Sequence, residues 1–395
     1  MPGRCRLVET VVRSQPKAAF VASVYRHFEL FHLPFLTGLQ EQGYEVHVYA
    51  SPDYAKAPLE ARGLICHDVH FERSPFQPKN IKALKELVQS FRAEKFSLVH
   101  VHTPVASILG RIAARITGVP SVLYTAHGFH FFDGAPKANW LLFAPVEWLM
   151  ARETDVLLTI NQEDYARAQK FPVRGDVLYV PGVGLDTTVF QPGEETAAGV
   201  RARLRGELGV AEDELLILCV AELNANKNQP QLFEAMKQLQ EQGVAARCLL
   251  VGVGESEELY KQQVAAMGLS GRVTFLGYRL DIPDLMQAAD AATLLSKREG
   301  LPRSVMEAMA AGLPIVATDV RGNRDLVQDG ENGYLVAPGD AKATADAFSK
   351  LDKDPAMRLA MGQRSRELAA QYDIAIIRSE MMRVYAEAAA QGKLG

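Results

Sequence analysis

The stretch AATLLSKREGLPRSVMEAMAAGLPIVAT, residues 291–318, decides the fold. Ala291–Leu295 is a short apolar run that suits a buried strand. A polar turn follows and carries Glu299, Gly300 and Leu301. Pro302 opens a helix, because its missing N–H would have no intrahelical partner there, and Met306, Glu307, Ala308 and Met309 continue it. Gly312 closes the helix and Pro314–Ala317 starts the next strand. Strand, turn, helix, strand is the unit of a parallel sheet, since parallel neighbours need a long crossover between them.

The same theme repeats on both sides. In the first half the strand-like runs are Ala18–Val24, Glu45–Ala50, Leu98–His102, Ser121–Thr125, Val156–Ile160 and Val177–Val180. In the second they are Leu215–Val220, Arg247–Val251, Val273–Leu276, Ala291–Leu295, Pro314–Ala317 and Gly333–Val336. Stretches of helical period lie between them, among them Asn80–Lys95, Gln229–Glu241, Glu255–Met267 and Arg303–Ala311. This alternation predicts an α/β protein with parallel sheets covered by helices on both faces. The Pro- and Gly-containing segment Val189–Gly199 reads as a boundary. Residues 1–188 and 189–373 are therefore expected to form two doubly wound, Rossmann-like domains. The helical stretch 374–395 is expected to pack back on the first. Ligands of such sheets sit beyond the C-terminal strand ends, so two facing domains make a cleft and residues at strand ends are the candidates.

The bulk numbers agree with a globular chain. Of 395 residues, 48% are hydrophobic and 23% charged, which excludes disordered and collagen-like classes. The net charge of −4 argues against a nucleic-acid partner. Cys5, Cys66, Cys219 and Cys248 have no metal-site spacing, and the last two sit in apolar runs as small core residues. The opening residues Met1–Arg6 lack an apolar signal-peptide core, and no run reaches the ~20 apolar residues of a membrane span. A cytoplasmic protein is expected, with contact at the inner face of the membrane as an addition. The basic residues Lys79, Lys82, Lys85, Arg92 and Lys95 and the apolar Trp140–Met150 are the segments for such contact; read plainly, they are a solvated face and a core helix.

The turn after Leu295 carries the chemistry. Gly300 and Leu301 precede a helix, whose positive N-terminal end favours a diphosphate. Glu299 can accept hydrogen bonds from sugar hydroxyls and Glu307 can grip a ribose diol. Lys227, between a strand and the helix Gln229–Glu241, can stabilise charge on a leaving diphosphate. Singly, each of these is an ordinary loop or helix-end charge.

Together they are specific. Glu299 and Glu307, with seven residues between them, resemble the paired-glutamate motif of family 4 retaining glycosyltransferases of the GT-B fold, and residues 312–336 resemble that family's next strand and loops. Val220–Asn228 is similar to its diphosphate loop, Leu250–Gly254 to its glycine turn, and Phe275–Ile282, with Arg279, to its base-side loop. Tyr124–Phe131 and Ile160–Tyr165 resemble a subgroup that builds bacterial capsule, exopolysaccharide or lipid-linked oligosaccharide. The resemblance spans roughly residues 18–340.

What the resemblance implies is a GT-B-like pair of domains facing a cleft. The donor is a nucleotide sugar, UDP-linked by family habit, and the acceptor a glycan carried on a polyprenyl diphosphate. Anomeric configuration is retained, and no metal or other cofactor is expected. Glu299, Lys227 and His127 are the implied catalytic residues. Glu307, Gly300, Leu301, Arg298, Arg279 and Gly254 are the implied donor contacts. Many members carry an arginine where this chain has Glu222, and Arg298 or Arg303 are the candidates to replace it. Arg26, His27 and His32 follow the first strand and are candidates for the acceptor's phosphate. His100 and His102 alternate on one strand and read as structural, with no cysteine or carboxylate nearby to complete a metal set. Asp352-Lys353-Asp354 reads as a solvated turn rather than a metal site. A sugar-nucleotide epimerase of related fold and a non-catalytic nucleotide-sugar sensor are the alternative functions.

Overall fold

The computed structural model describes residues 15–72, 77–191 and 196–392. Cys5, the opening segment, residues 192–195 of the expected boundary and the last three residues lie outside the described residues.

Two parallel sheets organise the chain. The first contains β1 (Lys17–Val24), β2 (Glu45–Ser51), β3 (Ile65–Asp68), β4 (Leu98–Val101), β5 (Val122–Ala126), β6 (Val156–Thr159) and β7 (Asp176–Tyr179), in the order β3-β2-β1-β4-β5-β6-β7. The second contains β8 (Leu215–Val220), β9 (Ala246–Val251), β10 (Val273–Gly277), β11 (Ala291–Leu294), β12 (Ile315–Thr318) and β13 (Gly333–Val336), in the order β10-β9-β8-β11-β12-β13.

Successive residues of a strand feed opposite faces. In β1, Ala18, Phe20 and Ala22 enter one core while Ala19 and Val21 enter the other. In β8, Leu216 and Leu218 pack on one side and Leu215, Ile217 and Cys219 on the other. Both faces are buried, as the near-continuous apolar runs required. Cys219 and Cys248 are buried free thiols, as expected.

The first sheet reverses its winding between β1 and β4, the second between β8 and β11. At such a reversal the connections leave the C-terminal ends of the two strands in opposite directions, which is where an open α/β sheet leaves a crevice. Lys227 follows β8 and Glu299 follows β11. His27 and His32 follow β1, and His102 follows β4.

The helix Ile374–Gln391 leaves the second sheet and packs on the first. Ile377, Met381, Val384, Tyr385 and Ala388 enter the core that holds Phe20 and Leu98. Tyr385 Oη lies 2.9 Å from His100 Nδ1, and Ser121 donates to the Ala388 carbonyl at 2.7 Å.

The helix Lys137–Ala151 does not have the buried character of a core helix. Leu141 is 80% exposed and Leu149 57%, and Trp140, Leu142 and Trp148 are exposed as well. The basic helix Lys79–Glu94 keeps its solvated face, with Lys79 paired to Glu72 and Lys82 to Glu86. Asp354 caps the helix Pro355–Ala369 by accepting from Met357 N–H. Among the described residues, no helix is long and apolar enough to cross a membrane.

Candidate active site between the two sheets

The loop after β8 and the loop after β11 are tied together by their backbones. Lys297 N–H donates to Asn226 O at 2.8 Å, Asn226 Nδ2 to Arg298 O at 3.2 Å, and Asn228 Nδ2 to Leu295 O at 3.2 Å. This lacing brings Lys227 Nζ to 2.6 Å from Glu299 Oε1, with Lys227 21% and Glu299 11% exposed in their side chains. The glycine turn supports the Lys227 loop from below. Leu223 N–H donates to Val253 O at 3.1 Å, and a methyl group on Gly254 would lie 2.3 Å from the Leu223 carbonyl oxygen.

The helix Arg303–Ala310 starts at Pro302, which supplies no side-chain cap, so the first N–H groups are left for another acceptor. Gly300 and Leu301 precede it. Glu307 sits one turn in and accepts from Arg303 Nε at 2.8 Å. Burial pushes the Glu307 carboxyl above its ordinary range, opposed by Arg303. Arg303 also donates to the Leu30 carbonyl at 2.8 Å, so it spans the gap to the first sheet's domain.

Three further expected arginines have these surroundings. Arg279 is taken up by Asp281, at 2.7 Å from Nε to Oδ1. Arg298 is exposed and lines an opening shared with Glu299, Asp319 and Arg324. Arg26 is exposed at a helix start, where its N–H donates to Asp53.

His127, at the end of β5, is half-buried and faces the second domain. A methyl group on Gly300 would lie 2.0 Å from the His127 carbonyl oxygen, so the two loops touch backbone to backbone. Burial pushes the His127 imidazole down to about 4, so the ring is neutral at physiological pH. His27 and His32 do not stand apart as a phosphate site. Both are held well below their ordinary range by burial, and they pack with His102 and His127 in one cluster. His102, read from the sequence as structural, is one of the four histidines of this cluster. His100 keeps a structural role, with its second nitrogen 2.8 Å from Thr125 Oγ1.

Two family descriptions match this chain: "Glycosyl transferases group 1" over residues 200–368 and "Glycosyl transferase 4-like" over residues 20–161. The Bacillus subtilis protein EpsD, described as a glycosyltransferase, is 39% identical over 372 residues, covering 93% of this chain and 96% of EpsD. The chain is a glycosyltransferase of group 1.

An Escherichia coli UDP-Gal:α-D-GlcNAc-diphosphoundecaprenol α-1,3-galactosyltransferase is 30% identical over 292 residues, 71% of this chain and 73% of that enzyme. Anabaena HepE, solved with UDP and glucose, superposes with a TM-score of 0.78 at 23% identity, over 94% of this chain and 100% of HepE. The fold of this glycosyltransferase is GT-B, as the motifs implied.

One residue of the glycosyltransferase's cleft was given no role in the sequence. Arg321, after β12, donates to Asp164 Oδ1 at 2.9 Å, to the Phe129 carbonyl at 3.0 Å, and from Nε to the Glu299 carbonyl at 3.0 Å. It is buried and ties the Glu299 loop to the first domain. Asp164 itself is held by Asn161 and by Phe129 N–H. The signal was one of two arginines within residues 312–336, and its partner is 157 positions away.

Proposed function

We propose that this glycosyltransferase moves a hexose or N-acetylhexosamine from a UDP-linked donor, with retention of anomeric configuration, to a growing bacterial surface glycan carried on a polyprenyl diphosphate. The observation that carries it is the Lys227–Glu299 pair at 2.6 Å, set at the winding reversal of the second sheet and beside an uncapped helix start.

In this reading the two charges neutralise each other until donor enters. The ammonium then turns to the diphosphate and the carboxylate to the sugar hydroxyls. Gly300 and Leu301 sit beside the diphosphate, Glu307 takes the ribose, and half-buried His127 offers a neutral ring to the reacting face. The acceptor oxygen bonds to the anomeric carbon as the bond to the diphosphate breaks, and the leaving oxygen takes the acceptor's proton. The protein orients and stabilises the leaving group, and this step calls for no divalent ion. Arg303 is held by Glu307 and Leu30, so exposed Arg298 is the better substitute for the arginine replaced by Glu222.

Two features support a lipid-linked acceptor at a membrane surface. An apolar cavity of about 700 Å³ in the first domain is lined by Phe71, Ile108, Phe131, Leu142 and Phe143 among others. The neighbouring helix Lys137–Ala151 presents Leu141 and Leu149 outward. The Escherichia coli relative's named acceptor is of the same chemical class.

The test is a panel of nucleotide sugars with a polyprenyl-diphosphate-linked saccharide, read as released UDP and as the anomeric configuration of the product by NMR. Acceptor-dependent release with an α-linked product is expected. A donor epimerised without acceptor, or donor bound without turnover, would replace this reading by an epimerase or a sensor.

A further inference from the structure

Four histidines from three separate segments meet beside the cleft. His27 and His32 lie on and after the helix Tyr25–Phe31, His102 follows β4 and His127 follows β5. One ring nitrogen from each lies within 4.8 Å of all the others.

The fine geometry is that of ligands gathered round a point. His27 Nε2 is 3.1 Å from His32 Nε2, and His127 Nε2 is 3.3 Å from His102 Nδ1. A tetrahedral zinc ion with Zn–N of about 2.0–2.1 Å sets neighbouring nitrogens about 3.3–3.4 Å apart. His32 is 2% exposed and His102 0%, so the short contacts at His32 Nε2 and His102 Nδ1 are made in the interior. Burial holds all four rings in the neutral form that ligates metals.

A second group within metal-binding reach, Glu45, His47 and Glu94, differs in kind. Lys17 Nζ already sits 2.8 Å from Glu45 and 2.7 Å from Glu94, so a cation occupies that position. Among the described residues, no such charge enters the histidine cluster.

We propose that His27, His32, His102 and His127 bind one divalent transition ion of the zinc class. Four imidazoles suit Zn²⁺, Cu²⁺ or Ni²⁺ and give a closed tetrahedral shell, so the ion is structural. It pins the helix Tyr25–Phe31 to the ends of β4 and β5, at the winding reversal of the first sheet. With His127 Nε2 turned into the cluster, Nδ1 is the nitrogen left for a substrate.

The experiment reads metal rather than turnover. The full chain, stripped with a chelator and dialysed, is titrated with Co²⁺ and followed by visible absorption, then challenged with Zn²⁺; metal content is measured in parallel. One equivalent of Co²⁺ with intense tetrahedral bands, displaced by Zn²⁺, is expected. His27→Ala at a half-buried position and His102→Gln in the core should each weaken Co²⁺ binding by at least about tenfold. His47→Gln should leave it unchanged, with circular dichroism confirming the fold of every variant. Absence of a tetrahedral Co²⁺ spectrum, binding that survives in folded His27→Ala, or loss of binding in His47→Gln overturns the proposal.

Discussion

Lys227 and Glu299 are each other's partner in the free protein, with part of each side chain open to the cleft. Glu299→Gln should lower kcat by about 10²–10³, the scale for losing one electrostatic contact made at the reacting centre, with the melting temperature little changed. Unchanged turnover would remove Glu299 from the site. On the proposal that protein groups neutralise the leaving diphosphate, added Mg²⁺ or Mn²⁺ should leave the initial rate of transfer unchanged. A rate that rises severalfold with either ion would contradict that part of the account. At this scale the sequence was most informative where a motif is continuous in the chain. Glu299, Gly300, Leu301 and Glu307 lie in one turn and the helix after it, and their order alone brought them together. His27, His102 and His127 are scattered, and only the sheet order makes them neighbours. The Arg279–Asp281 pair was not legible, because nothing in the sequence shows that Asp281, two positions on, folds back to meet the guanidinium.

At the scale of elements, the strands were legible because both sheets are buried on both faces and therefore read as unbroken apolar runs. β3 was missed. Its sequence Ile-Cys-His-Asp has no such run, and as an edge strand it is partly exposed. The lacing of loops was not legible, because it is made by backbone groups and by Asn226 and Asn228, which look like ordinary turn residues. Two consequences can be measured. Gly300→Ala would drive a methyl group against the His127 carbonyl, so it should part the two loops and cut turnover at least about tenfold; wild-type kinetics would show that the loops have room. Arg321→Ala would leave buried Asp164 with only the more distant Arg167, 3.9 Å away, as a cation, at a cost of about 3 kcal/mol in urea unfolding. A change below about 1 kcal/mol would mean that Asn161 and Phe129 suffice to hold that carboxylate.

The whole molecule is two winding reversals brought face to face. Arg321 and Arg303 bridge them near the cleft, and the helix Ile374–Gln391 carries the chain's end back to the first sheet. Because that helix completes the core around Phe20, cutting the chain before Ile374 should expose Leu98 and Phe20 and abolish a single cooperative unfolding transition. A truncated chain that melts like the full one would show the helix to be dispensable. The most direct measurement of the central claim is calorimetric titration of UDP into wild-type, Lys227→Ala and Glu299→Gln proteins. Loss of the ammonium should weaken UDP by about 10–100-fold, the equivalent of a charged hydrogen bond, while loss of its carboxylate competitor should leave UDP binding as strong or stronger. Equal UDP affinity in wild type and Lys227→Ala would contradict the assignment of the diphosphate to this lysine.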